Sequence, residues 1–420
     1  MVENNFKKKI LKKKIKVLQV VGGNYHNGAF QGANILHKTL LSEDIDSVLL
    51  NDTCSDKEQS RILKNNKSIV FIQNNIFKKM LFKIFVFIEK FLKSIFLHTP
   101  RETFTVGLFG FDLTKTNEYK NADIIHIHWL SQGFINIRSL SKIKKPVVWT
   151  MRDMWAFTGG SHYLMDFQKY EKSLISKFFK KLKHKSYNQN FNFVSVSNWL
   201  QLLAQKSSVL KDFKIKHIDN NIDLNDFSLI SKKIAKEILN IDTEKQIILF
   251  GAQNPQSKRK GWEIFLNSIK KINKEKYFLL IFGSFWSQKS LEDIGIEFKS
   301  LGFIKDKTLL SAVYSSADIF VASSIQDAWP KTFAESMCCG TPVVCFENTS
   351  ISEIVDHKIN GYVVKNLDAD SLSNGIEWLL ERMKNDPIKK EKINSKILNF
   401  DSKKIAKKKV KFYEELIKNN

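Results

Sequence analysis

Short, almost wholly apolar runs recur along the first half of the chain, at Val17–Val21, Ser47–Leu50, Ser68–Gln73, Asp123–His128, Val147–Thr150 and Phe193–Val196. Runs that do not alternate with polar positions belong to strands covered on both faces, as in parallel sheets. Segments with a helical period fall between several of them, beginning with Ala29–Leu41. Strand and helix in alternation predict an α/β domain. The pattern restarts after a charged, periodic stretch near Leu229–Thr243. Strands are then expected at Ile247–Gly251, Tyr277–Phe282, Asp318–Ala322, Val343–Phe346 and Tyr362–Val364. Helices are expected near Trp262–Ile272, Thr308–Ser316, Thr332–Cys339 and Asp370–Met383, and a lysine-rich helix over Ser402–Lys418 closes the chain. At 420 residues the chain is long for one core, so each half is sized for one domain.

Segment Ile76–Leu97 departs from this alternation. At about 100° per residue, Lys78, Lys79, Lys83, Lys90 and Lys93 fall within an arc of about 140°, and Phe and Ile side chains fill most of the remainder. The lysines interrupt it far too often for a membrane span. A basic stripe beside a wide aromatic face suits a helix lying in the membrane interface, and equally a core helix with one solvated edge.

Composition narrows the class. A hydrophobic fraction of 43% and an aromatic fraction of 12% fill real cores and exclude a disordered chain. The formal charge of +24 reads either as a bias toward lysine throughout or as attraction to a polyanion. The lysines are spread out among acids and no stacking motif or zinc finger appears, which argues against nucleic acid as the partner. Cys54, Cys338, Cys339 and Cys345 show neither C-x-x-C spacing nor a nearby histidine partner, so no disulfide framework or zinc site is expected and a reduced, cytoplasmic setting fits. Met1–Lys16 holds seven lysines without an apolar run, unlike a secretory signal.

The strongest chemistry lies in Ser323–Phe346, SSIQDAWPKTFAESMCCGTPVVCF. A strand leads into a loop with Asp327 and Pro330, and the helix that follows would present the backbone N–H groups of Lys331, Thr332 and Phe333 to an anion. Asp327 and Glu335 can border the same cleft. In Ile247–Trp262, a strand runs to Gly251 and a basic cluster, Lys258, Arg259 and Lys260, precedes Gly261; a leaving diphosphate needs such cations. Val17–Ala33 is a strand, a glycine turn and a helix, with Gly28 at the turn. Within Asp123–Tyr163, His128, Arg152 and Asp153 lie just after strands, and His126 has apolar neighbours, which places it in sheet packing. Asn221, in the turn Asp219–Asp223, suits a left-handed backbone. The pairs Asp44/Asp46 and Asp368/Asp370 have the D-x-D spacing of some metal sites but no further acidic ligands nearby, so no metal site is expected.

These motifs together resemble the GT-B glycosyltransferases of family 4, in a branch that assembles bacterial polysaccharide, lipopolysaccharide or colanic acid, over Lys16 to Arg382. The resemblance implies an α/β fold of two Rossmann-like domains with parallel sheets facing a central cleft. It implies an N-terminal acceptor domain over residues 1–228 with a basic insertion near 76–97, a donor domain over 229–400, and a helix over 401–420 crossing back to the first domain. It further implies a retaining, metal-independent transfer from a nucleotide-diphosphate sugar, with no cofactor, to a cell-surface glycan or lipid-linked acceptor at the inner face of an anionic membrane. Asp327 then maps to the acid that holds the donor sugar, Glu335 to the ribose acid, and Lys260 to the phosphate lysine. Arg259, Gly28 and the amides of Lys331, Thr332 and Phe333 would join the phosphate site. Ile304, in Leu301–Ile304, lies in the segment whose backbone reads the base; His128, Arg152 and Asp153 line the acceptor and sugar pocket. The chain departs from the family at Asp327, normally Glu, at Ala252, normally Arg, at Arg152, often His, and at Ser161, where this branch can carry Cys. Such departures also fit a protein that binds nucleotide sugar on a catalytically inactive GT-B scaffold.

Overall fold

The computed structural model describes residues 14–52, 66–97, 103–284 and 292–419. Cys54 and most of the lysine-rich start lie outside them.

Two parallel sheets organise the molecule. The first has seven strands, β1 (Lys16–Val21), β2 (Asp46–Asn51), β3 (Ile69–Phe71), β4 (Ile124–Trp129), β5 (Val147–Met151), β6 (Phe191–Ser195) and β7 (Ile215–His217), in the order β3-β2-β1-β4-β5-β6-β7. The second has six, β8 (Gln246–Gly251), β9 (Tyr277–Phe282), β10 (Phe298–Ser300), β11 (Ile319–Ala322), β12 (Val343–Phe346) and β13 (Gly361–Val364), in the order β10-β9-β8-β11-β12-β13. The strand order reverses between β1 and β4 in one sheet and between β8 and β11 in the other. Ligands of doubly wound sheets gather beyond the carboxyl ends of strands at such switch points. The loops after β1, β8 and β11 are those that carry the glycine turn, the basic cluster and Asp327.

The helices used below are α1 (Gly28–Ser42), α2 (Ile76–Phe96), α3 (Leu174–Ser186), α4 (Asn198–Gln205), α5 (Lys307–Ser316), α6 (Lys331–Cys338) and α7 (Ser402–Lys418). Asn27 caps α1, its side chain accepting from Ala29 N. The apolar face of α7, Ile405, Ala406, Phe412 and Tyr413, packs with Val17, Leu36, Leu40, Ile124, Val148 and Val194 of the first domain, so the chain ends on the domain it began with. Asn221 is not left-handed: it is buried, and its side-chain amide donates to Gly32 O at 3.1 Å, tying the crossover turn to α1.

The core-helix reading of the amphipathic segment fails for α2. Glu89 is its one buried residue, while Phe77, Met80, Ile84, Phe87, Phe91 and Ile95 form an exposed stripe, with Phe87 at 71%. Lys79, Lys83 and Lys90 are exposed beside it. Glu89 fastens the opposite face: its carboxylate accepts from Val106 N (2.7 Å), Gly107 N (2.9 Å) and Leu108 N (3.2 Å). Burial nonetheless raises its pKa above the usual value. The neighbouring α3 continues the exposed surface with Leu174, Ile175 and Phe178, the two helices meeting at Phe96 and Phe179. Among the described residues no helix is long and apolar enough to cross a membrane.

Candidate active site

The loops at the two switch points line a cleft of about 760 Å³ between the domains. On the wall formed by the second domain, Gly261 follows the basic cluster with φ 68°, a conformation that favours glycine. A Cβ there would sit 2.0 Å from Ser323 O, so the absence of a side chain lets the β8 and β11 loops touch. That contact brings Lys260 Nζ to 2.5 Å and Arg259 Nη1 to 3.2 Å from Asp327 Oδ2. Burial alone would raise the Asp327 carboxyl, but the two cations outweigh it and hold the group below its ordinary range. Burial lowers the Lys260 ammonium, and Asp327 opposes that shift. A diphosphate arriving at Lys260 would therefore compete with Asp327 for it. Lys258, the other cation offered by the sequence, is exposed and does not line the cleft.

Pro330 precedes α6 and no side chain caps the helix, which leaves its first-turn amides without a side-chain partner, and Pro330, Lys331 and Thr332 line the cleft. The side chain of Phe333 lies fully in the core, so only its backbone can serve the site. One turn on, Glu335 accepts from Tyr314 Oη at 2.7 Å. Burial raises Glu335 and lowers Lys331, with mutual attraction opposing both shifts. Gly28, Ala252 and Ile304 also line the cleft, and a Cβ at Gly28 would meet nothing within 4 Å.

On the facing wall stand Arg152 and Asp153. Asp153 is engaged from three sides, accepting from Trp155 N (2.9 Å) and Trp129 Nε1 (2.6 Å) and pairing with His162 Nδ1 (2.5 Å). Its geometry makes it an organiser of the wall. His128 does not line the cleft: it lies behind Arg152, accepting from Arg152 Nε at 3.3 Å and bonded to Gln19 Oε1 at 2.9 Å. Burial holds it neutral, well below the usual histidine range. His126 is not surrounded by apolar groups alone, being bonded to Tyr413 Oη (2.6 Å) and Thr150 Oγ1 (2.7 Å).

Sequence reasoning missed Tyr163 and Tyr314. The Tyr163 ring lies 4.3 Å beneath the Arg259 guanidinium, and its hydroxyl accepts from Ala328 N at 3.4 Å, so a first-domain residue braces the loop that carries Asp327. The motif around Tyr163 was visible, but nothing in it pointed across the cleft. Tyr314 carries no signal at all, being one more apolar-facing position of α5.

The D-x-D acids have other employment. Asp44 pairs with Lys14, Asp368 accepts from Ser371 N at 2.7 Å to cap a helix, and Asp370 pairs with Lys271 at 2.6 Å. Among the described residues no group of three or more His, Cys, Asp or Glu side chains is arranged to hold a metal ion.

Two nucleotide-fold domains around a cationic cleft define the GT-B architecture. Residues 231–395 match the model of the glycosyl transferases group 1 family. An uncharacterized glycosyltransferase of Methanocaldococcus jannaschii is 27% identical over 270 residues, 61% of this chain and 66% of that protein, just under two thirds of its length. The N,N'-diacetylbacillosaminyl-diphospho-undecaprenol alpha-1,3-N-acetylgalactosaminyltransferase of Campylobacter jejuni is 26% identical over 191 residues, 45% of this chain and 49% of that one. Anabaena HepE, solved with UDP and glucose, superposes with a TM-score of 0.65 at 15% identity, covering 96% of this chain and 100% of that one. Fold, domain match and relatives together support a place in the GT-B glycosyltransferase superfamily.

Proposed function

We propose that the protein transfers a sugar from a nucleoside-diphosphate donor to a glycan or lipid-linked acceptor at the inner face of an anionic membrane, with retention and without a metal ion. The observation that carries this reading is one wall of one cleft holding Lys260, Arg259 and the uncapped start of α6, with Asp327 and Glu335 beside them. Cations and exposed amides supply what a departing diphosphate requires. Glu335 would hold the ribose and Asp327 the sugar, once the diphosphate takes over Lys260. In the front-face route, the acceptor oxygen bonds to the anomeric carbon as the bond to the phosphate oxygen breaks. The acceptor proton passes to that phosphate, so no protein carboxylate is needed as nucleophile.

HepE binds UDP and glucose in this fold, and the name of the Campylobacter relative describes a diphospho-undecaprenol acceptor. A lipid-borne acceptor fits the exposed aromatic stripe and lysines of α2, which suit the interface of an anionic bilayer. Transfer or slow hydrolysis of a nucleotide sugar from a small panel should proceed in EDTA. Lys260→Ala should lower kcat by roughly a hundredfold or more, the scale of losing one preorganised charge contact. Turnover unchanged in that variant removes the assigned role; activity abolished by EDTA removes the metal-free chemistry; binding without turnover on any acceptor leaves a scaffold.

A further inference from the structure

Arg152 is a guanidinium built into the acceptor-side wall with no acid to answer it. Its Nη1 donates to Asn220 Oδ1 at 2.7 Å and its Nε to the neutral ring of His128, while Nη2 is buried without a hydrogen-bond partner. Among the described residues no carboxylate pairs with it, and burial alone lowers its pKa, to about 10. The acids that line the cleft are already engaged: Asp327 by Lys260 and Arg259, Asp153 by His162 and Trp129, Glu335 by Tyr314, and Asp226 by Lys307, while Asp223 and Asp306 accept from the backbone amides of Asn225 (3.1 Å) and Leu309 (2.7 Å). The backbone also makes room for this side chain. A Cβ on Gly32 of α1 would sit 2.2 Å from Arg152 Nη1, so the guanidinium keeps this position only while residue 32 has no side chain.

An unpaired buried charge is costly to maintain, and a planar guanidinium matches a carboxylate or phosphate with two parallel bonds. The diphosphate cations stand on the other wall, in the donor domain. We propose that Arg152 reads a second anionic group on the substrate pair, a carboxylate or phosphate distinct from the donor diphosphate. This inference rests on the glycosyl-transfer reading and deepens it: the protein handles a charged sugar, such as a uronate, or an acceptor that presents its own phosphate close to the reacting hydroxyl.

The test is a binding measurement, so a protein that transfers no sugar can pass it and one that transfers sugar can fail. One arm compares UDP-glucuronate with UDP-glucose, repeated with other bases if neither binds. The other compares a short-chain prenyl-diphosphate-linked sugar with the same sugar on a neutral alkyl chain. In the unaltered protein at least one arm should favour the anionic partner by tenfold or more. The ratio should fall to within about twofold in Arg152→Gln, with Arg152→Lys between. Gly32→Ala, which adds a good helix former and pushes the guanidinium aside without removing its charge, should lower the ratio too and guards against a folding defect in the Gln variant. Preference in the first arm places the anion on the donor, and in the second on the acceptor. No preference in either arm overturns the proposal. An equal loss for UDP alone in Arg152→Gln also overturns it, since Arg152 would then belong to the diphosphate site.

Discussion

Lys409 of α7 buries an ammonium that donates to Thr150 Oγ1 at 2.9 Å rather than to a carboxylate. Burial, helped by the positive charge of Arg152, depresses its pKa from 10.5 to about 7. Below about pH 7 the folded protein bears the buried charge in full. Between there and the unfolded value of 10.5 the unfolded chain binds a proton that the folded chain does not, so stability rises with pH, by at most roughly 1.4 kcal/mol per pH unit. Lys409→Met keeps the volume and removes the titration. Urea unfolding should find the variant more stable than the parent at pH 6, with the advantage shrinking steadily toward pH 9.5; parallel curves would contradict the assignment. Lys409 also marks the limit of what a sequence discloses about single residues. Lys260 and Asp327 could be placed because the loops carrying them have motifs that turn on local backbone, glycine at 261 and proline at 330. Lys409 looked like one more lysine on a solvated helix face, and His128 like a cleft residue, because burial depends on which element packs opposite. Tyr314 and Asn220 gained their roles in the same way, from partners more than 20 residues distant.

At the scale of elements, apolar runs located the interior strands well, since strands covered on both faces must be apolar throughout. The edge strands β7 and β10 escaped: each is three residues with a lysine in the middle, Ile215–His217 and Phe298–Ser300, as sheet edges often carry. Periodicity likewise found α2 but could not say which of its faces met solvent. Glu89 decides that, because a carboxylate accepting several backbone N–H groups fixes the helix with its aromatic stripe outward. In the proposed docking of α2 on a bilayer, the stripe and its lysines make separable contributions. Each lysine near an anionic surface is worth about 1 kcal/mol, so replacing Lys79, Lys83 and Lys90 by Gln should weaken binding to anionic vesicles by roughly a hundredfold and leave neutral vesicles unaffected. Phe87→Ser with Phe91→Ser should weaken both. Sedimentation with vesicles of the two compositions distinguishes these outcomes, and binding indifferent to the lysines would remove the electrostatic part of the proposal.

Across the whole molecule, several of the contacts between the two domains involve the loop that carries Asp327. Met165 N donates to Gln326 Oε1 at 2.8 Å, Ser197 Oγ donates to Ala328 O at 2.9 Å, and Glu353 caps α4 from the other domain by accepting from Asn198 N (2.9 Å) and Trp199 N (2.6 Å). Tyr163 is placed differently, since its ring supports the guanidinium that also holds Asp327. The position of the first domain and the charge around Asp327 are thereby linked through one side chain. Removing the ring in Tyr163→Ala should loosen Arg259 and weaken nucleotide binding by about 1–2 kcal/mol, roughly five- to thirtyfold, between the values for an exposed and a desolvated cation over an aromatic face. Tyr163→Phe keeps the ring and gives up only a long hydroxyl contact, so it should stay within about twofold of the parent. Calorimetry with the nucleoside diphosphate reads the affinity, and small-angle scattering reads the separation of the domains. If the brace works as described, the alanine variant loses affinity and expands while the phenylalanine variant does neither. Lost affinity without expansion would confine Tyr163 to the local electrostatics of Arg259, and expansion without lost affinity would make it a hinge contact whose nearness to the loop that carries Asp327 has no consequence for binding.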